Sequence, residues 1–556
     1  MYQQVYDPVG DSLGLSTIFA VLPLLTLFLL LGGLKLKAHV AAVAALGVAI
    51  LVALIVYSMP IGQTLDSAVL GAAFGVFPIM WIVWTALWIY NMTDVTGYSA
   101  VLRRSFGRIS DDQRVQAVII AFSFGALLEA LAGFGTPVAI TAGMLIALGF
   151  QPIKAASVAL VSNTAPVAFG AIAVPIVTLA EITGLPKDDL GAMVGRQTPL
   201  LALFVPLILV GMVDGTRGIR AAWPAAVVGG LAFAVGQFAC SNYVSVELTD
   251  IVASLLSVGA IVALLQVWQP AEPIRGERFQ RGPAIAGAAV SNPALEAEVR
   301  RKEDDHHDTP AEVFRAYSPY LVIIVVFSLA QFGPIKDALT NLGTEWTWPG
   351  LNVTNADGDV VSSTTFKFGW AGAAGTLLLV SGVITMGLIR IGPGRALRVF
   401  GETLYKLRWA TLTVVTVLSL AYVMNLSGQT ITIGLWIAGA GGILAFLSPI
   451  IGWLGVAVTG SDTSSNSLFG ALQVSAAKEA GLDPTLLAAA NSSGGVLGKM
   501  ISPQNLAIGA AAVGMGGKEG DLFRMVVKWS LILLAAMVLI VYLQSTSVLS
   551  WMVVGS

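Results

Sequence analysis

Apolar residues run through this chain in blocks of roughly 20, the length a helix needs to cross a bilayer, separated by short polar breaks. The blocks predict spans over 14–34, 39–57, 67–90, 155–180, 198–213, 221–241, 249–268, 317–333, 367–389, 409–425, 485–514 and 529–552. Two further apolar regions, about 115–150 and 438–480, are too long for one crossing. Each is interrupted near its middle, at "GFGTP" (133–137) and at "GSDTSSN" (460–466), and reads as a re-entrant hairpin whose tip stops inside the membrane. Segments of about 10 residues with alternating polarity, which mark a membrane barrel, do not occur. The pattern predicts an all-α polytopic membrane protein with about 12 transmembrane helices plus two re-entrant hairpins.

Charge placement orients this layout. With the N-terminus outside, the inner loops are 35–38, 91–114, 151–154, 214–220, 269–316, 390–408 and 515–528, and they hold 24 of the 30 lysines and arginines. Outer segments carry only Lys187, Arg196, Lys336, Lys367 and Lys478, and Lys499 falls within a span. An excess of basic residues marks cytoplasmic loops, so both termini are expected on the outer side. The first hairpin then enters from inside and the second from outside, with three spans before each and an interrupted span after each.

That is the layout of an inverted repeat. Gly133-Phe-Gly-Thr136 matches Gly460-Ser-Asp-Thr463 at an offset of 327, and Asn163, Gly170 and Pro175 match Asn491, Gly498 and Pro503 at an offset of 328. The expected division is a first half over 1–268 (hairpin about 115–150, interrupted helix about 155–180), a solvated cytoplasmic linker over 269–316, and a second half over 317–556 (hairpin about 438–480, interrupted helix about 485–514). In transporters built this way the site lies where the repeats meet.

Composition excludes the soluble classes. Of 556 residues 56% are hydrophobic and 11% charged, with mean hydropathy +0.82, against about 25% charged in soluble domains. A single cysteine, Cys240, excludes an internal disulfide, and three histidines (His39, His306, His307) cannot build a metal or redox site in the apolar regions. No cofactor, metal or nucleic-acid partner is expected. The first residues lack the basic stretch of a cleaved signal peptide, so the first apolar block is expected to be retained as a span.

Four helix breaks are expected inside the membrane: Gly133–Pro137, Ser162–Pro166, Gly460–Ser467 and Asn491–Gly495. Unwound backbone at that depth persists only where it lines a protein-enclosed cavity, and helix N-termini at such breaks favour an anion. The candidate substrate-binding residues are Gly133, Gly135, Thr136, Asn163, Thr164, Ser461, Thr463, Ser464, Ser465, Asn466, Asn491, Ser492, Ser493 and Gln504. The competing reading is that such small polar residues pack helices together or bond back to carbonyls.

Ionisable residues in a membrane usually mark function, and three stand near these breaks: Glu129, Asp462 and Lys499. Glu129 is flanked by Leu127, Leu128, Ala130 and Leu131, surroundings that favour a neutral carboxyl, and it is the expected proton carrier. Asp462, among hydroxyls and free N–H groups, is the expected structural or Lys499-paired anion. Pairing of Lys499 with one carboxylate for charge compensation alone is the plainer alternative. An enzyme would need a nucleophile–base set or cofactor motif, and no Gly-x-x-x-x-Gly-Lys-Ser/Thr loop for a nucleotide is present; a channel has no need of opposed half-membrane breaks.

Several segments carry a family resemblance: "YDPVG" (6–10), "LKLKAHVAA" (34–42), "EALAGFGTPVAI" (129–140), "NTAPVAFGA" (163–171), "MVGRQ" (193–197), "GWLGVAVTGSDTSSNSLFGALQ" (452–473), "AANSSGGVLGKMISPQNLAI" (489–508) and "GKEGDLFR" (517–524). The chain resembles the lactate permease family nearly end to end. That resemblance implies proton symport of lactate, glycolate and related short 2-hydroxy monocarboxylates at the bacterial cytoplasmic membrane, with sodium coupling as the alternative. The hairpin layout is also similar to the wider ion-transporter superfamily, which implies an elevator architecture, and elevator relatives are commonly homodimers. Ser162-Asn163-Thr164 is a triplet of the kind those relatives carry at hairpin tips, yet here it falls in the interrupted span after the hairpin.

Overall fold

A computed structural model describes residues 1–34, 36–133, 135–274, 308–330, 332–356, 358–515 and 518–555. Most of the predicted linker, with His306 and His307, therefore lies outside the described residues. The described chain is mostly helical, with 10 helices long and apolar enough to cross a membrane, or up to 11 if the bent pair Pro152–Ser162 and Val167–Thr183 counts as one span.

That count includes the outgoing hairpin arms Gln113–Leu131 and Gly441–Thr459 and takes Lys187–Tyr243 as one helix, so it is not span for span the count of about 12. The predicted spans 198–213 and 221–241 fall in the run Lys187–Tyr243, which turns at Leu203–Phe204 and leaves helical geometry at Asp214 and Gly215, where φ is −139° and +59°. Thr198 and Gln237 face each other across that reversal, and so do Leu203 and Gly230, so the two arms run antiparallel. The predicted span 367–389 keeps only Ala374–Leu388 as helix, because Thr365–Phe368 pairs as an antiparallel strand with Thr344–Thr347. Together with a parallel pairing of Tyr2–Gln3 and Val353–Thr354, this adds a little β-structure to a chain expected to be all-α. The alternation in "TEWT" and "TFKF", with Phe366 buried beneath Trp346 and Trp348, suits an extended pair with one covered face.

The basic loops converge on one face. Arg104 pairs with Asp308 at 2.5 Å, Arg114 Nη1 reaches Asp214 at 3.3 Å, and Arg114 Nη2 donates to the Glu272 carbonyl at 2.6 Å. Lys154 donates to the Val213 carbonyl at 2.9 Å and Arg395 to the Val95 carbonyl at 3.0 Å, while His39 stacks on Trp409. Arg114 is almost fully buried yet satisfied by Asp112, which caps the first hairpin arm through the Arg114 and Val115 N–H groups. Burial works against the Asp112 charge, but hydrogen bonds from Arg114 and from the Ile274 N–H hold its carboxyl below the usual carboxylate range.

The opposite face gathers the N-terminus and the residues before Ser556. The Tyr2 hydroxyl donates to the Ser427 carbonyl at 2.8 Å, at the far end of the long helix Pro393–Ser427, and Arg196 donates to the Met552 carbonyl at 3.0 Å. Lys187 pairs with Glu247 on this side.

Each interrupted apolar region is a helical hairpin. The first descends from Asp112 through a π-helical segment, Ala117–Phe124, to Ala132 and returns as Thr136–Ala147. Its turn uses Gly135 at φ +82°, a left-handed geometry that a Cβ disfavours. The second consists of Leu444–Thr459 and Asp462–Glu479, turning at Gly460 with φ +76°. Ser461 caps the returning helix by accepting from the Ser464 N–H at 3.2 Å.

Two predicted breaks need correction. Only Gly460 and Ser461 interrupt the second hairpin, and Asp462–Ser467 is already helix. Asn491–Gly495 does not break at all: it lies inside Pro484–Gly498, and the interruption comes later, at Lys499–Ser502. The glycines serve a different purpose there. A methyl group at Gly494 would overlap the Pro449 carbonyl, and one at Gly498 the Trp453 carbonyl, so they let two helices pack backbone to backbone.

Candidate functional site

The two hairpin tips meet on one short helix, Pro503–Ala512. A methyl group added at Gly135 would strike Ile508 and lie 3.3 Å from Asn505 Oδ1. Gly460 abuts the Gln504 side chain, and its carbonyl accepts from Asn505 Nδ2 at 3.4 Å. Ser502 caps this helix through the Asn505 N–H at 3.3 Å, so its N-terminus lies between the tips.

Three charged side chains surround this junction, all buried. Glu129, 2% exposed, accepts from Lys499 Nζ at 2.7 Å through Oε1 and from Asn163 Nδ2 at 2.9 Å through Oε2. The pair joins the two halves of the chain: Glu129 is one turn before the first tip, and Lys499 is in the break of the second interrupted helix. Gly170 makes room for the carboxylate, since a Cβ there would lie 2.9 Å from Oε1. After Gly170 the chain makes a left-handed turn at Ala171, Ile172 and Ala173, with φ of +46°, +57° and +57°, conformations costly to residues that carry a Cβ.

Asp462 forms the second node. Its Oδ2 accepts from Ser492 Oγ at 2.5 Å and from Asn466 Nδ2 at 3.5 Å. Asn466 Nδ2 also donates to the Pro175 carbonyl at 3.1 Å, and Asn466 Oδ1 accepts from Asn491 Nδ2 at 2.9 Å. The second hairpin is thus tied both to its own half and to the first interrupted helix. The expected pairing of Asp462 with Lys499 is not formed. The lysine takes Glu129 instead, because the two tips bring that carboxylate onto the break while Asp462 is already held by a hydroxyl and an amide.

Other sequence candidates divide by what they touch. Thr164 bonds back to the Val161 carbonyl at 2.7 Å and Ser465 to the Gly452 carbonyl at 3.2 Å, which is the helix-packing use of a hydroxyl. Gly133, Thr136, Thr463, Ser464 and Gln504 stand at or beside the tips and the helix between them. Four buried polar atoms of the cluster have no protein partner: Asn163 Oδ1, Asp462 Oδ1, Ser493 Oγ and Asn505 Oδ1. Buried polar groups are rarely left so; Asn505 adjoins both tips and Asn163 the Glu129 carboxylate, while nine further such atoms among the described residues lie elsewhere.

Sequence reasoning missed Asn505, although Ser502-Pro503-Gln504-Asn505 carries a legible cap and helix start. It also missed a neighbouring polar group in which Asp250 accepts from Gln237 at 3.1 Å, while Gln237 donates to the Ala165 carbonyl at 3.2 Å and accepts from Thr198 at 3.2 Å. A lone carboxylate opening the apolar run 249–268 was its only signal.

The family model described as L-lactate permease matches residues 16–548. The chain is 41% identical over 572 residues to the L-lactate permease of Bacillus subtilis (strain 168), covering 99% of this chain and all of that protein. It is 41% identical to the glycolate permease GlcA of Escherichia coli (strain K12), covering 98% of each, and 41% identical to the L-lactate permease of the same organism, covering 100% of each. A chain of many apolar helices with this similarity along its whole length is a multi-pass membrane transport protein rather than an enzyme, and it belongs to the L-lactate permease family.

Proposed function

We propose that this chain carries lactate, glycolate and related short 2-hydroxy monocarboxylates across the bacterial cytoplasmic membrane by proton symport. The observation that carries the reading is the occupancy of Lys499: among the described residues, the one cation buried at the junction of the tips is held by Glu129. An incoming carboxylate and the Glu129 carboxylate compete for the same ammonium. Two anions facing one cation in a low-dielectric site repel each other strongly, so Glu129 yields Lys499 when it takes up a proton. Proton and substrate anion then enter together and leave together. Asn163, freed from Glu129 Oε2, donates to the substrate, and one of the unpartnered oxygens of the cluster, Asn163 Oδ1 or Asn505 Oδ1, accepts from its 2-hydroxyl. Glu129 keeps its role as proton carrier on this basis, through competition for Lys499 rather than through apolar neighbours.

We further infer an inverted repeat that moves as an elevator within a homodimer, with the basic face cytoplasmic and both termini outward; the two hairpins with tips on one helix, Pro503–Ala512, support the repeat. Transport by purified protein in liposomes tests the function. Labelled L-lactate should accumulate under an inward proton gradient, and Glu129→Gln should abolish accumulation while sparing lactate exchange. Accumulation driven by a sodium gradient alone would establish the sodium-coupled reading instead.

A further inference from the structure

The polar group beside the first break holds a buried carboxyl that the competition for Lys499 does not use. Asp250 and Gln237 are both 0% exposed. Asp250 Oδ1 accepts from Gln237 Nε2 at 3.1 Å, and the same nitrogen donates to the Ala165 carbonyl at 3.2 Å. A carbonyl can only accept, so Ala165 fixes the nitrogen end of the amide toward itself and Asp250. Ala165 follows Asn163 by two residues in the first break, and Asn163 donates to Glu129. Asp250 Oδ2 has no partner in the protein. Among the described residues no lysine, arginine or histidine pairs with Asp250: Lys187 is held by Glu247 and Lys499 by Glu129. The helix that Asp250 opens, Thr249–Val267, packs on Val205–Tyr243, Ala117–Phe124 and Gly125–Ala132. Of the titratable groups on these elements, Cys240 and Glu129 interact electrostatically with Asp250. Asp214, Arg217 and Arg220 stand toward the other end of Val205–Tyr243, and Tyr243 is exposed.

The two carboxyls therefore differ in what balances them. Glu129 has a lysine, whereas a charge on Asp250 would face Glu129 with only an amide to offset it, a costly state away from water. A neutral hydroxyl at Oδ2 without an acceptor costs far less. A metal cation does not fit between Asp250 Oδ1 and the Ala165 carbonyl, because Gln237 Nε2 already bridges them. We propose that Asp250 is a second proton-binding site, whose proton stays resident on Oδ2 through the transport cycle and keeps Gln237 seated on the first break. Asp250 is thus a positioning residue, acting on Asn163 and Glu129 through Gln237 and the Ala165 carbonyl without touching substrate. The proposal rests on the reading of the chain as a proton-coupled carrier.

The test combines L-lactate exchange in liposomes with thermal unfolding of the purified full-length protein. Asp250→Ala, which removes the partner of Gln237, should slow exchange about tenfold, in line with loss of a buried hydrogen bond. Asp250→Asn has the shape of a neutral carboxyl and should restore exchange to within about twofold of wild type. It should also still accumulate lactate under a proton gradient. The folded wild type holds a proton here that the unfolded chain releases above about pH 4, so this position loses stability as pH rises. The wild-type unfolding temperature should therefore drop relative to that of Asp250→Asn between about pH 5 and about pH 8. A parallel pH dependence in the two proteins would mean that Asp250 is ionised and would overturn the proposal, as would an Asp250→Asn protein that exchanges as slowly as Asp250→Ala. Loss of accumulation in Asp250→Asn with exchange spared would make the proton a transported one and overturn its residence. A wild type that neither exchanges nor accumulates lactate would overturn the transport reading, while the unfolding comparison would still decide the state of Asp250.

Discussion

In the first half of the chain the carboxylate stands one turn before the hairpin tip, at Glu129, and the break of the interrupted helix is lined by Gly170 and Ala171. In the second half the carboxylate stands at the tip, as Asp462, and the break carries a cation. At the offset that aligns Gly170 with Gly498 and Pro175 with Pro503, Lys499 falls on Ala171; at the hairpin offset, Asp462 falls on Gly135 and Glu129 on Val456. Corresponding positions thus hold opposite kinds of residue. The backbone follows suit: a left-handed turn over 171–173 in one half and a 3-10 turn over Lys499–Ile501 in the other. Small residues in the first half leave the space that charged residues of the second half and Glu129 fill. The pair that closes the site spans the two halves because neither half contains both partners.

The largest effect comes from separating that pair. Lys499→Met should destabilise the protein by about 3–5 kcal/mol, the cost of leaving a buried charge uncompensated, and should abolish lactate binding. In the double variant with Glu129→Gln, thermal unfolding should recover much of the stability, since no unpaired charge remains. A double variant no more stable than Lys499→Met would mean that the lysine acts through packing, and the contrast between the two halves would lose its electrostatic content.

A smaller effect separates the two asparagines. Asn163 touches Glu129 directly, whereas Asn491 reaches Asp462 only through Asn466. Asn163→Ala and Asn491→Ala should each weaken lactate binding by about 1–3 kcal/mol, the usual cost of an unsatisfied buried partner, read by titration of the folded variants. Only Asn163→Ala should also shift the pH dependence of uptake, because only Asn163 bonds to the proposed proton carrier. A shift in both variants would couple the two nodes.

Much of this architecture was legible before any coordinates. Apolar block length announced a polytopic membrane protein, and both tips were visible because glycine and polar residues interrupt runs that are otherwise lipid-soluble. Glu129, Asp462 and Lys499 stood out for the same reason. What stayed hidden depended on depth and register. Asn491-Ser-Ser-Gly-Gly495 has the composition of a break, yet glycine serves close helix contact as well as it serves unwinding, and only the position of Pro449 against Gly494 decides between them. The partner of Lys499 was hidden too, because Glu129 and Asp462 both lie near tips, and choosing between them needs the packing of Pro503–Ala512. The reversal at Asp214–Gly215 was legible as the polar loop 214–220 between two apolar blocks, whereas the pairing of Thr365–Phe368 as a strand, which shortens the block 367–389, was not.

The finest distinction between the halves rests on two aligned glycines. Gly498 lies against the Trp453 backbone, which cannot move without separating two helices. Gly170 faces the end of the flexible Glu129 side chain, with a Cβ expected 2.9 Å from Oε1, and that carboxylate can swing by a few tenths of an ångström. Gly170→Ala should therefore cost less than about 1 kcal/mol of stability, offset in part by the reduced freedom of the unfolded chain. It should nevertheless disturb the Glu129–Lys499 geometry and lower proton-driven accumulation more than lactate exchange. Thermal unfolding and paired uptake and exchange assays read the two effects separately. A Gly170→Ala protein that unfolds as early as Gly498→Ala would show that the first break is as tightly packed as the second, and the space assigned to the carboxylate would have to be sought elsewhere.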